Sequence, residues 1–296
     1  MSTIALKFQI GARTLASVDR ALIRIPYGIE DVIAATPPVL PTLTEDGYLI
    51  TSLPETLLAA MQGEEMIAFV RQRYVRYHTD FAIGFETWQR GLSGNARSTI
   101  KRKTRRIAQA SGGGVTIRAY RTPDEFAEFH PTARAVSATT YQEKLLGSGL
   151  PADGAALGNL FQLAAADRLR AWLLFIGDVP VAYLCCTAHR DALLYTYVGH
   201  DPAYGDLSPG TVLHAEAMRA LFADRFSRFD FTEGEGQHKR LFSTGGTPCV
   251  DLLLLRPTLA NHAAVAALAG FDGAMTFAKR ATTHPILSRI AKKVRR

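Results

Sequence analysis

Apolar residues along the chain follow two patterns, short strand-like runs and longer repeats with helical spacing. The runs are rich in β-branched and aromatic residues, which suit a buried, pleated strand. A repeat such as Leu213, Ala217 and Leu221 instead places its apolar side chains on one helix face. From residue 115, these patterns predict a mixed α/β fold: a strand, helices, three antiparallel strands, a helix, a strand, a helix and a strand. The predicted strands are residues 115–120, 169–176, 181–188, 192–198, 228–232 and 249–255.

Capping residues mark two helix starts. Thr122 and Glu125 form a capping box, in which each side chain bonds the backbone amide of the other residue. Ser208 and Pro209 mark the second start, because Ser supplies an N-cap oxygen and Pro needs no amide donor at the first helical position. This second turn joins a strand to a helix, and its backbone amides lie at the positive end of the helix. The sequence therefore predicts an anion site at residues 208–212.

Four segments are predicted along the chain. Residues 1–84 hold apolar runs around a Pro-rich connection and predict a small N-terminal α/β lobe, with a short helix at residues 54–62. Residues 85–114 predict a basic connecting helix that ends at a Ser-Gly-Gly-Gly break. Residues 115–257 carry the main pattern, and residues 258–296 predict a helical, basic tail. Such a tail can make peripheral contact with an anionic membrane or pack on the protein's own core, and the sequence favours the second interpretation.

Composition indicates a folded protein without a membrane span. Of the 296 residues, 47% are hydrophobic and 21% are charged, which suits a buried core. Because no apolar run reaches about 18 residues and the N-terminus lacks the pattern of a secretory signal, a cytoplasmic location is expected. Cys185 and Cys186 would point to opposite faces of one strand, so they are interpreted as small buried apolar residues. The dispersed histidines and three cysteines predict no metal site.

The formal net charge of +7 is concentrated in two segments. Residues 91–110 hold six basic residues and residues 279–296 hold seven, and neither segment contains an acid. In the first segment Arg97, Lys101 and Arg105 lie four residues apart on one predicted helix face, where like charges repel each other. This stripe is either a binding face for an anionic partner or a solvated surface, and the sequence leaves both open.

Two motifs resemble a known family. DPAYGDLSPGTVL is similar to the acyl-CoA-binding turn of GNAT-superfamily N-acetyltransferases. FDFTEGEGQHKRLFSTGG is similar to the signature of the CelD-like, cellulose-biosynthesis-associated branch, which is related to the Fem-type aminoacyltransferases. The resemblance covers residues 85–257 and implies a GNAT fold with a mixed central sheet, preceded by a smaller, degenerate GNAT-like lobe. It also implies acetyl-CoA as the acyl donor.

The resemblance assigns roles to residues in and around these motifs. The pyrophosphate of CoA would lie at the turn, and the thioester carbonyl would meet a main-chain amide where a GNAT sheet splays. Gly205 stands where the family has a basic residue, so a phosphate-pairing side chain is missing there. His238 stands where the family usually has Tyr, and a histidine can act as acid or base near neutral pH. The expected donor-binding residues are Val198, Gly199, His200, Ser208, Pro209, Gly210, Thr211 and Val212; the expected catalytic residues are His238, Glu233 and Tyr141; and the expected acceptor-binding residues are Lys239, Arg97, Lys101 and Arg105.

Three functions follow from these expectations. The first is acyl transfer from acetyl-CoA to an amine of a small molecule, or of a cell-envelope or exopolysaccharide glycan precursor. The second uses aminoacyl-tRNA as the donor; the basic segment favours it, whereas the lack of interleaved aromatic residues argues against nucleic-acid binding. The third is a GNAT-fold binding protein without activity. The sequence identifies neither the acceptor nor the oligomeric state.

Overall fold

The computed structural model describes residues 3–10, 13–63, 65–140, 143, 149–234 and 236–283. The chain divides into two compact units. The first unit comprises Met1–Tyr27, Asp31–Arg73 and Cys249–Arg296, and the second comprises Gly28–Glu30 and Tyr74–Pro248. This division differs from the predicted boundaries at residues 84 and 257, because strand residues from Cys249 onward pair with a strand of the first unit.

The described residues form strands, α-helices and short 3₁₀ segments. The strands are β1 (Thr3–Ile10), β2 (Arg13–Pro26), β3 (Gly47–Pro54), β4 (Ile67–Asp80), β5 (Thr116–Tyr120), β6 (Leu169–Ile176), β7 (Val179–His189), β8 (Ala192–His200), β9 (Arg228–Asp230) and β10 (Gly245–Leu255). The helices are α1 (Ile29–Ala34), α2 (Phe85–Gly91), α3 (Gly94–Ala110), α4 (Pro123–Thr139), α5 (Gly154–Ala165), α6 (Pro209–Leu221), α7 (Gln237–Phe242) and α8 (Leu259–Thr283). The predicted mixed α/β fold, with its element order after residue 115, is confirmed.

The first unit is a sheet with one covering helix. β1 and β2 form an antiparallel hairpin, β2 runs parallel to β3, and β3 runs antiparallel to the end of β10. Leu268 of α8 joins Leu6 and Leu22 in the core, and the rings of Phe8 and Phe271 meet edge to face with centroids 5.5 Å apart. The helix predicted at residues 54–62 consists of two 3₁₀ turns, at Glu55–Leu57 and Ala59–Met61.

The second unit is built on a mixed sheet with the strand order β4-β9-β8-β7-β6-β5. Neighbouring strands are antiparallel except β8 and β9, which run parallel. The predicted capping box at Thr122 and Glu125 starts α4, with both reciprocal bonds present. The predicted connecting helix is two helices, because the chain breaks at Leu92 and the Ser93 hydroxyl starts α3 by accepting from the Ala96 amide.

Helices cover both faces of this sheet. Cys186 belongs to a core cluster with residues of α3 and α6, whereas Cys185 belongs to a second cluster with residues of α4 and α5. Both thiols are buried, and burial raises their pKa values above the ordinary range. The prediction that adjacent cysteines act as apolar residues on opposite faces is therefore confirmed.

Nothing in the described chain resembles a membrane span, since none of its helices is both long enough and apolar enough. Residues 284–296, which hold five of the seven basic residues of the predicted tail, lie outside the described residues. The proposed choice between membrane contact and packing on the core therefore stays a prediction.

Candidate functional site

A cavity lies where two strands of the second unit part. Residues 192–194 of β8 pair with residues 228–230 of β9, and within the described residues that ladder ends at Leu194 and Asp230. After an irregularity at residues 195–196, β8 keeps its antiparallel partner β7 from Tyr197 to His200. A cavity of about 620 Å³ follows this separated stretch. It is lined by Thr140, Tyr195, Val198, Gly199, His200, Pro202, Gly205, Ser208, Gly210, Thr211, His214 and His238.

The N-terminus of α6 forms one wall of this cavity. A 3₁₀ segment, Pro202–Leu207, leads from β8 to Ser208, which adopts the left-handed conformation with φ 54°. The Ser208 side chain makes no capping hydrogen bond, so the prediction that its hydroxyl oxygen caps the helix is wrong. The left-handed backbone turns the chain into the helix instead, at a cost of order 1 kcal/mol for a non-glycine residue. The first turn of α6 thus keeps amides without a side-chain cap, as an anion site requires.

Two cations reach this turn from α3. The Lys103 ammonium donates to the Thr211 hydroxyl oxygen at 3.2 Å, and the Arg106 guanidinium donates to the Asp206 carbonyl at 3.0 Å. Burial, together with the neighbouring Arg102, lowers the pKa of Lys103. The lowered pKa means that the site disfavours the ammonium charge unless an anion compensates it. Gly205 brings no cation, as expected, but α3 supplies two that the sequence reasoning did not assign to the turn.

Arg97, Lys101 and Arg105 of α3 were expected to bind the acceptor, but they do not line this cavity. Arg97 donates to the carbonyls of Arg90 and Leu92, at the C-terminal end of α2. Lys101 and Arg105 line a separate groove of about 510 Å³ that also includes Arg97 and Glu216. The stripe is therefore divided between a helix-capping contact and a groove, and its role toward an acceptor stays a prediction.

His238 lines the cavity from α7. Its ring centroid lies 5.4 Å from that of Tyr195, and the ring rests so close to the backbone that a Cβ atom at Gly236 would lie 2.9 Å from Cε1. A side chain at residue 236 would therefore have to displace the imidazole. Burial, and then the charge of Lys239, lower the pKa of His238. The imidazole is neutral at neutral pH and can accept a proton.

The other expected catalytic and binding residues are placed differently. Lys239 is buried, and its ammonium donates to the main-chain carbonyl of Glu233. The Glu233 side chain is exposed and does not line the cavity, and Tyr141 lies outside the described residues. Of the three expected acid–base residues, the structure brings His238 to the cavity. Among the described residues, no group of three His, Cys, Asp or Glu side chains could hold a metal ion.

His214 is a cavity residue that the sequence reasoning missed. It lies four residues after Gly210, hence on the same face of α6, and is 2% exposed. Its ring stacks on Phe242 with centroids 4.4 Å apart and lies 6.5 Å from the ring of His238. Burial, with the nearby His238, lowers the pKa of His214 to about 3. Its spacing of four residues from Gly210, which places both residues on one helix face, is the sequence feature that could have identified it.

Residues 94–240 match the family model described as "Acetyltransferase (GNAT) domain". This stretch is a GNAT-superfamily acetyltransferase domain. It includes Lys103, Arg106 and every residue that lines the cavity. Among curated proteins the chain has no significant match.

Several solved structures are similar to this chain at low sequence identity. The C-terminal domain (DUF2156) of a putative lysylphosphatidylglycerol synthetase from Agrobacterium fabrum is 12% identical, with a TM-score of 0.50 over 75% of this chain and 70% of that chain. The L-PGS of Bacillus licheniformis is 12% identical, with a TM-score of 0.46 over 74% and 71%. A GCN5-related N-acetyltransferase from Kribbella flavida is 16% identical, with a TM-score of 0.37 over 73% and 71%. At 12% identity the likeness to the Agrobacterium fabrum domain concerns the fold alone.

Proposed function

We propose that the protein is an acyl-CoA-dependent N-acyltransferase that moves an acetyl group from acetyl-CoA to a primary amine. The observation that carries the proposal is the union, in one cavity, of an uncapped helix N-terminus at Ser208–Gly210 and the neutral imidazole of His238. The first feature suits a pyrophosphate, and the second suits proton transfer. The family match over the same residues supports this assignment.

In this proposal the pyrophosphate lies at the first turn of α6. The amides of that turn and the charges of Lys103 and Arg106 would bind its oxygens, replacing the basic side chain missing at Gly205. The arm of the donor would extend along residues 195–200 of β8, whose β9 side is open beyond Leu194 in the described chain. Main-chain amides of that stretch are the proposed donors to the thioester carbonyl.

The proposed reaction moves the acetyl group from sulfur to nitrogen. A neutral amine attacks the carbonyl carbon, a C–N bond forms, and an electron pair moves to the carbonyl oxygen. The C–S bond then breaks as the carbonyl is restored. His238 accepts the proton from the attacking nitrogen and returns a proton to the leaving thiolate, so that an amide and the CoA thiol are formed and the imidazole ends neutral.

His238→Ala tests this role. Only the neutral imidazole accepts a proton, so the wild-type kcat should fall as the pH falls through the pKa of His238, which lies below the ordinary value of 6.5. The variant should lose about 100-fold in kcat, as is typical for a general base, and should lack this ionisation. The measurement is kcat against pH from 4.5 to 8 for both proteins. Profiles of equal height and shape would remove His238 from the mechanism.

Lys103→Met tests the proposed contact with the donor phosphates. One charge-assisted hydrogen bond contributes about 1.5–3 kcal/mol, so acetyl-CoA affinity should fall about 10- to 100-fold. Lys101→Met is a matched control, because it removes the same charge from the same helix but faces the separate groove. Calorimetry without an acceptor measures both. If the two variants lost affinity equally, the loss would reflect the overall positive charge of α3, and a local contact between Lys103 and the phosphates would be contradicted.

A second donor, aminoacyl-tRNA, is favoured by one observation. Lys101 and Arg105 line a groove on α3, and Arg102 of the same helix is exposed. These cations could contact the phosphates of a tRNA, which dominate nucleic-acid affinity. Thermal-shift measurements with acetyl-CoA and with lysyl-tRNA separate the two donors, since only the true donor should stabilise the protein at concentrations near its Kd. Stabilisation without turnover of any amine would indicate a binding protein.

The acceptor is proposed by motif. The stretch FDFTEGEGQHKRLFSTGG resembles the signature of the CelD-like branch. On that resemblance, the proposed acceptor is an amine of a cell-envelope or exopolysaccharide precursor. A panel of amino sugars and diamines, scored by release of free CoA thiol, tests this proposal. Turnover limited to amines without a sugar ring would argue against it.

A further inference from the structure

The imidazole of His214 is buried, yet one of its nitrogen atoms has no hydrogen-bond partner. Its Nε2 atom is out of contact with solvent and finds no partner within the described residues. A buried polar atom left unpaired costs stability, and the great majority of such atoms in folded proteins are paired. The position therefore carries a cost that a phenylalanine would avoid.

The surroundings of His214 explain its packing but not its nitrogen. Its ring stacks on Phe242 and lies 5.5 Å from Phe231 and 5.2 Å from Tyr195, centroid to centroid. The neighbouring titratable groups are Tyr195 from β8 and His238 from α7. An apolar aromatic side chain would serve these contacts equally well. The imidazole also lines the proposed donor cavity, one helical turn beyond Gly210.

We propose that His214 binds the acyl donor, and that a small movement of its ring on donor binding brings the Nε2 atom into a hydrogen bond with a carbonyl or amide group of the pantetheine arm. This inference rests on the proposed function, because the arm is that of acyl-CoA. A neutral imidazole has one donor and one acceptor nitrogen and matches an amide or thioester without adding charge. The position one turn below the phosphate-binding amides suits the arm rather than the phosphates.

The test compares two ligands on two proteins. Acetyl-CoA carries the arm, whereas 3′-phospho-ADP carries the same pyrophosphate without it. His214→Phe should lower the affinity for acetyl-CoA about tenfold, which corresponds to the loss of one hydrogen bond, and should leave the affinity for 3′-phospho-ADP unchanged. The variant should also melt at a higher temperature than the wild type, because it removes an unpaired buried atom and keeps the stacking. His189→Phe, at the exposed end of β7, should change neither affinity.

Each outcome bears on the proposal. Equal affinities of wild type and His214→Phe for acetyl-CoA would overturn it, and so would equal losses for the two ligands, which would indicate a structural role. If the wild type bound acetyl-CoA no more tightly than 3′-phospho-ADP, the proposed contact with the arm would be overturned, whereas the proposed phosphate site would stand. A wild type that bound neither ligand would overturn the proposed donor together with this inference.

A measurement on the wild type covers the case in which the phenylalanine variant does not fold. With ¹⁵N-labelled histidine, the Nε2 resonance of His214, assigned with His214→Gln, should shift on addition of acetyl-CoA and not on addition of 3′-phospho-ADP. An Nε2 resonance that ignored acetyl-CoA at saturation would contradict the hydrogen bond.

Discussion

Gly210→Glu is expected to abolish acetyl-CoA binding while leaving the fold intact. A Cβ atom at Gly210 would meet nothing closer than the His200 Nδ1 atom at 3.9 Å, so the new side chain enters the cavity freely. Its carboxylate would take the place of the pyrophosphate beside Lys103 and would repel it. Two or three charge-assisted hydrogen bonds of about 1.5–3 kcal/mol each would be lost, which corresponds to a loss in affinity of about 100-fold or more.

The fold should not suffer from this change. A glutamate in the first turn of a helix is favourable toward the helix dipole, and glycine is the poorer helix former. Gly158→Glu on α5 is the matched control: it adds the same charge at an exposed helical glycine with open space around it, away from the cavity. Calorimetry with acetyl-CoA and a thermal melt give both readouts. Retained affinity in Gly210→Glu would place the donor phosphates elsewhere.

Local sequence patterns predicted most elements of the transferase domain. The run at residues 169–176 is a strand with those bounds, because consecutive apolar side chains can be buried on both faces of a central strand. The capping box at Thr122 and the opposite faces of Cys185 and Cys186 depend only on neighbours along the chain. Such features are set by backbone periodicity and therefore appear in the sequence.

The site depended on packing between distant segments, which periodicity does not describe. The six cations of residues 91–110 surround α3, and only the packing of α3 on α6 selects Lys103 and Arg106 for the turn. The Ser208 cap failed for a similar reason: the preceding 3₁₀ segment fixes a left-handed backbone at a residue that normally caps with extended geometry. His214 looked like any polar residue on a helix, because its burial comes from aromatic rings of β8, β9 and α7.

A buried ion pair holds the end of β9, from which the chain continues to His238. The Arg76 guanidinium donates twice to the Asp230 carboxylate, at 2.6 Å and 3.2 Å, and both side chains are almost fully buried. Asp230 ends β9 and also accepts from the Thr232 amide at 2.8 Å. The turn through Gly234, at φ 87°, then leads to α7. Asp230 thus anchors the start of the segment that leads to His238.

Arg76→Met is expected to lower the free energy of unfolding by about 3–5 kcal/mol, because it leaves the Asp230 carboxylate buried without its counter-charge. Arg76→Met combined with Asp230→Asn should recover most of that loss, since no charge remains unpaired and the amide oxygen can still accept from Thr232. Arg73→Met breaks an exposed pair with Glu55, whose side chains are 54% and 43% exposed, and should cost less than about 1 kcal/mol.

Urea denaturation of the three variants measures these differences, and turnover at a temperature where all are folded adds a functional readout. Arg76→Met should lose kcat as well as stability, because the segment that leads to α7, and so to His238, begins at the anchored carboxylate. The double variant should regain stability before it regains kcat, since the asparagine holds Thr232 but nothing replaces the two bonds from β4. A single Arg76→Met variant as stable as Arg73→Met would mean that water reaches Asp230 and that the pair does not hold the loop.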